Sequence, residues 1–131
     1  WSNAQKVADY LGKQSAVESI SWAGLPSSPW HERAKKYFAG KGYGSIIAFN
    51  VKGGRDAGQK FAEALQLHSH VANIGDVRSL VIHPASTTHS QLTEAEQLSA
   101  GVHPGLVRLS VGLESIEDIL ADLDLGFKAI S

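Results

Sequence analysis

The chain contains no cysteine and no methionine. Without cysteine there is no disulfide, no thiol nucleophile and no zinc–thiolate cluster. A cytoplasmic location is compatible with that composition. Lacking methionine even at its first position, and opening on Trp1 inside a helical pattern, the chain reads as part of a longer polypeptide. An excess of one charge is also missing. The 12 Lys and Arg face 13 Asp and Glu, for a formal net charge of −1. No basic field therefore exists to gather nucleic acid or acidic lipid. No apolar run approaches the ~20 residues of a membrane span, and no charged n-region, apolar h-region or cleavage site opens the sequence. Internal repeats, low-complexity tracts and Pro/Ser-rich linkers are absent too. What is left, 131 residues of which 43% are hydrophobic, suits one compact domain with a modest core.

Helices and strands alternate along that domain. Ala4, Val7, Ala8 and Leu11 have helical spacing, with Ser2 or Asn3 as cap and Gly12 as stop. Residues 17–22 read as a strand. Pro29 is placed to start a second helix carrying Ala34, Tyr37 and Phe38. Residues 45–51 are β-rich and run into the Gly53-Gly54 turn, and Ala57, Phe61, Ala64 and Leu65 make a third amphipathic helix. Residues 79–83 form a strand stopped by Pro84. Thr93 and Glu96 have the spacing of a capping box, and Ser115 with Asp118 is a weaker version. Residues 106–111 are a strand. Ile116, Ile119, Leu120, Leu123, Phe127 and Ile130 then make one long apolar stripe. Several connections are too short for parallel crossovers. The expected class is α+β (α/β sandwich-like), a small, mainly antiparallel sheet with helices on one face.

Strand alternation singles out one cation. In the strand at 106–111, Val107, Leu109 and Val111 share a face that can pack on helices, while Leu106, Arg108 and Ser110 share the other. Counted the same way, Leu80 and Ile82 lie on one face of the strand at 79–83, and Ser79, Val81 and His83 on the other. Arg108, Ser79 and His83 are thus expected to project from one surface. A guanidinium there suits a carboxylate, because its planar fork makes two parallel charge-assisted hydrogen bonds. Alternation alone favours a blander reading, a solvated arginine on the wet face of a half-covered sheet.

Other chemistry is weakly signalled. His68 and His70 are two apart, with no HExxH pattern and no set of acidic partners, which does not make a metal site. The run Gly40-Lys41-Gly42-Tyr43-Gly44 precedes a strand, not a helix, so no helix N-terminus receives a phosphate. Ser86, Thr87 and Thr88 carry hydroxyls beside His89, but there is no nucleophile-elbow pattern and no acid to orient the histidine. Trp1, Trp22 and Trp30 read as packing or interface residues.

Two long segments carry a resemblance. One is Asn73-Ile74-Gly75-Asp76-Val77-Arg78-Ser79-Leu80-Val81-Ile82-His83-Pro84-Ala85-Ser86-Thr87-Thr88-His89, the other Val107-Arg108-Leu109-Ser110-Val111-Gly112-Leu113-Glu114. Both resemble the C-terminal domain of the Cys/Met-metabolism PLP-dependent enzymes, and the likeness extends over essentially the whole chain. Within that family, "NIGD", "STTH" and "AGVHPGLVRLS" look most like the O-acetylhomoserine sulfhydrylase branch. Cystathionine γ-synthases and γ-lyases are the alternative branch, and a cofactor-free binding module is the alternative outside the family.

The resemblance implies a type I PLP fold. Its large domain holds pyridoxal phosphate as a Schiff base on a lysine, and its small C-terminal domain, here residues 1–131, closes over the substrate. It implies that Arg108 grips the substrate α-carboxylate, that Ser79 sits beside that carboxylate, and, more weakly, that Thr88 borders the pocket. The implied reaction is γ-replacement, in which O-acetylhomoserine exchanges acetate for sulfide or methanethiol in a homotetrameric parent. None of the lysines at 6, 13, 35, 36, 41, 52, 60 and 128 falls in a motif matching the family's PLP lysine. This segment alone is therefore expected to bind no cofactor and to be inactive.

Overall fold

A computed structural model describes residues 1–131. Its elements run α1 (Ser2–Leu11), β1 (Val17–Ser21), α2 (His31–Phe38), β2 (Ile46–Val51), α3 (Gly54–Ala64), β3 (Leu80–Ile82), a 3₁₀ turn (Pro84–Ser86), α4 (Glu94–Ser99), β4 (Leu106–Ser110) and α5 (Ile116–Ile130). The four strands form one sheet in the order β1-β2-β4-β3. All three pairings are antiparallel, although the connections between paired strands each carry a helix and are long enough for a parallel crossover. No helix is long and apolar enough to cross a membrane.

The core lies on one face of the sheet. Ile47, Phe49 and Val51 of β2 and Val107 and Leu109 of β4 meet Val7 and Leu11 of α1, Phe61 of α3, and Ile119, Leu123 and Phe127 of α5. The apolar stripe of α5 is thus buried as its spacing predicts. Phe61 is the centre of an edge-on aromatic stack, 5.4 Å from Phe49 and 4.8 Å from Phe127 between ring centroids. Gly126 is packed against this ring so closely that a Cβ there would come within 2.6 Å of it.

Local signals place most element ends. The Thr93–Glu96 capping box forms, with the Thr93 hydroxyl accepting from the Glu96 N–H and the Glu96 carboxylate accepting from the Thr93 N–H. Three expectations are corrected. Trp1 occupies the cap position of α1, while the Asn3 side chain donates to the carbonyls of Gly112 and Glu114 across the fold. Pro29 precedes the Trp30 cap of α2 and does not open the helix. Ser115 caps α5 without bonding Asp118, and its hydroxyl goes to Glu117.

Candidate functional site

The other face of the sheet carries no helix from this core, and Arg108 stands on it. Register sets its neighbours. Arg108 pairs with Ala48 of β2 and with Ile82 of β3, and paired residues share a face. Leu80, Ile82, Arg108 and Ser110, together with Val71 and Asn73 of the α3–β3 connection, line a shallow cleft there. Among the 12 lysines and arginines Arg108 alone is partly buried, and the others are exposed. It takes part in none of the ion pairs of the chain. A half-buried guanidinium between apolar walls, with its fork unpaired, is an acceptor-seeking group. A carboxylate satisfies it through two parallel charge-assisted bonds that partial desolvation strengthens.

Register also corrects the expected companions of Arg108. Val81, not Ile82, faces the core, because Val81 pairs with the buried Leu109 and Ile82 with Arg108. Ser79 and His83 consequently turn to the helix side. Leu80, Val81 and Ile82 are all apolar, so polarity left no mark of phase along this strand, and only the pairing decides it. His83 is buried, its Nε2 donating to the Pro104 carbonyl at 2.6 Å and its Nδ1 accepting from the Ser86 hydroxyl at 2.8 Å. Thr88 is exposed, bonded to His89 Nδ1 at 2.9 Å, and lies outside the cleft lining.

Ser79 has no exposed surface, and its polar groups are engaged within the chain. Its N–H and hydroxyl donate to the two carboxylate oxygens of Glu114 at 2.7 and 2.8 Å. Its hydroxyl accepts from the Gly112 N–H at 2.9 Å, and its carbonyl accepts from the Ser69 N–H at 2.9 Å. Burial pushes the Glu114 carboxyl up, but the hydrogen bonds from Ser79 outweigh it and hold this group below the usual carboxylate range.

Asp122 is a second carboxylate that sequence spacing does not reveal. It is buried on α5 and receives the N–H groups of Gln66, Leu67 and His68 at 2.7–3.0 Å. His68, 54 residues away in sequence, adds its Nδ1 at 2.7 Å. Its Nε2 is buried without a partner. This clamp terminates α3 and aims the chain toward Ser69, which bridges to Leu80.

Stability is expected to fall as pH drops from 7 to 5. Burial outweighs the Asp122 contact and lowers the pKa of His68, and burial outweighs the Pro104 contact and lowers that of His83. The unfolded chain therefore takes up protons first, near the ordinary histidine value of about 6.5, so stability present above that pH is lost below it. The slope reaches up to about 1.4 kcal/mol per pH unit for each histidine. Urea unfolding midpoints across this range check it, and a flat profile would contradict the buried neutral imidazoles.

The family model described as "Cys/Met metabolism PLP-dependent enzyme" matches residues 1–128. The O-acetyl-L-homoserine sulfhydrylase of Corynebacterium glutamicum is 54% identical over 128 residues, covering 98% of this chain and 29% of that protein. The L-methionine gamma-lyase of Porphyromonas gingivalis is 49% identical over 128 residues, covering 98% of this chain and 32% of that protein. In structure, the cystathionine gamma-lyase of Lactobacillus plantarum complexed with L-serine superposes with a TM-score of 0.86 at 36% identity, covering 98% of this chain and 33% of that one. The chain thus spans about 30% of the length of the curated relatives it matches. With a family model spanning residues 1–128, the chain belongs to the Cys/Met-metabolism PLP-dependent enzyme family.

Proposed function

We propose that this chain is the C-terminal, substrate-gripping domain of a PLP-dependent γ-replacement enzyme, which converts O-acetylhomoserine and sulfide or methanethiol to homocysteine or methionine plus acetate. The carrying observation is Arg108, the one cation of the chain that is half-buried, on an open sheet face and free of any ion pair. The sulfhydrylase relative at 54% identity supports the choice of reaction.

The cleft itself does not fit PLP. No lysine is among its lining residues, so nothing there can hold the cofactor's aldehyde. PLP, when bound elsewhere in the full-length protein, supplies the electron sink for charge released at the substrate Cα. The part of Arg108 is to hold the α-carboxylate in one orientation. That is charge pairing and positioning, with no proton transfer at the guanidinium. Ile82 and Ala48 flank it and keep water from competing for the fork. Ser79 serves the same carboxylate from behind, through the backbone it fixes. Thr88 belongs to the rim of the pocket in this reading. A homotetrameric, cytoplasmic parent completes it.

The test is a substrate comparison on the full-length polypeptide. O-acetylhomoserine with sulfide is expected to give homocysteine faster, in kcat/KM, than cystathionine or methionine is cleaved by elimination. Preference for either elimination would move the chain to the lyase branch, for which the 49% identical methionine gamma-lyase speaks.

A further inference from the structure

Between β4 and α5 the chain makes a turn that clasps Ser79 and, two residues earlier, Val77. Gly112 N–H donates to the Ser79 hydroxyl at 2.9 Å, and Leu113 N–H to the Val77 carbonyl at 3.0 Å. Glu114 accepts both the N–H and the hydroxyl of Ser79. A side chain at position 112 is excluded, since a Cβ would lie 2.5 Å from Ser79 N, Val77 O and a Glu114 carboxylate oxygen. The turn follows directly on the strand that carries Arg108.

The other side of Ser79 leads to the cleft. Its carbonyl receives the Ser69 N–H, and the Ser69 carbonyl receives the Val81 N–H at 2.9 Å. Ser69 and Ser79 thereby close the base of the 69–79 segment, and Val71 and Asn73 of that segment wall the Arg108 cleft. Elsewhere the segment is tied to the rest of the fold by the His70 ring, donating to the Leu65 carbonyl at 3.0 Å, and by the Leu113 N–H on the Val77 carbonyl, while its tip is bonded within itself through Asn73, Asp76 and Arg78. Ala72, Asn73 and Ile74 are exposed, with Ile74 fully so.

We propose that Glu114 is a positioning residue: acting through Ser79, it holds the 69–79 segment as the wall of the cleft in register with Arg108. The inference rests on the carboxylate-binding reading of Arg108. It gives Ser79 a task that its burial permits, since a hydroxyl closed off by Glu114 and Gly112 cannot also reach a ligand on the opposite face of the sheet.

The test uses the full-length holoenzyme, with Glu114→Ala and Glu114→Gln beside Arg108→Ala. Steady-state kinetics with O-acetylhomoserine is read together with amide hydrogen exchange. Glu114→Ala is expected to raise KM by about tenfold or more while kcat stays within about threefold. Faster exchange is expected to be confined to residues 69–79. Glu114→Gln keeps an acceptor for the Ser79 N–H and is expected to recover most of the KM. An unchanged KM in Glu114→Ala overturns the proposal. So does a glutamine variant no better than alanine, or a variant that unfolds or exchanges faster throughout, because the clasp would then support the core and not the wall. The Arg108→Ala arm separates the two claims. If it is damaging while Glu114→Ala is silent, only the positioning role fails. If Arg108→Ala is silent, the carboxylate reading fails first.

Discussion

Arg108→Ala in the full-length polypeptide is expected to cut kcat/KM for the amino-acid substrate by about 30-fold to several thousand-fold, with PLP still bound. That range corresponds to about 2–5 kcal/mol, the cost of losing a desolvated charge-assisted pair. Stability should change little, because Arg108 projects away from the core formed by Val107 and Leu109 and makes no ion pair whose loss would strand a partner. Arg108→Lys is expected to recover only part of the loss. An ammonium supplies the charge but not the planar fork. Efficiency within about threefold of the parent, or less than about 1 kcal/mol, would return Arg108 to the role of a solvated surface residue.

Asp122→Ala is expected to be strongly destabilising. It strips a shared acceptor from three backbone N–H groups and from the His68 ring, and of these the His68 N–H and ring are buried. Leaving the two buried His68 donors unsatisfied, with two part-buried ones beside them, costs roughly 3–5 kcal/mol. Thermal unfolding should show it as a fall of about 10–20 °C. Asp122→Asn keeps one acceptor oxygen but turns an amide N–H toward the remaining donors, so it should lie between alanine and the parent. Burial pushes the Asp122 carboxyl up, while the hydrogen bonds of Leu67, His68 and Gln66 outweigh it and hold the group below its usual range. Its contribution is therefore present above about pH 4, the unfolded value, and is lost only as pH falls further. A loss below about 1 kcal/mol in Asp122→Ala would mean that the 65–69 turn rearranges to satisfy itself.

How much of this was legible in the sequence depends on whether polarity marked the periodicity. In β4 the order Val107, Arg108, Leu109, Ser110 alternates apolar and polar, and the faces follow without knowledge of any partner. The stripe of α5 and the Thr93–Glu96 capping box are legible for the same reason, since each is a local pattern of fixed spacing. In β3 the run Leu80, Val81, Ile82 is apolar throughout. Buried on one face and lining the cleft with the other, it carries no mark of phase, and the reading by count alone put Ser79 and His83 on the wrong side. Asp122 and Glu114 were invisible for another reason. Each bonds a segment more than 30 residues away, and a carboxylate outside the apolar stripe of a helix, or in a turn, reads as a solvated surface group. Tertiary clasps of this kind have no period, so spacing cannot find them.

The open sheet face has one consequence for specificity. Ligands that lack a carboxylate should gain nothing from Arg108, whatever else they contact. L-homoserine and 3-amino-1-propanol differ only in the carboxylate, and their inhibition constants against the parent and Arg108→Ala enzymes form a cycle that isolates this one pair. The parent is expected to favour L-homoserine by about 30-fold or more, and Arg108→Ala by no more than about threefold. The same preference in both proteins would contradict the assignment of the α-carboxylate to Arg108.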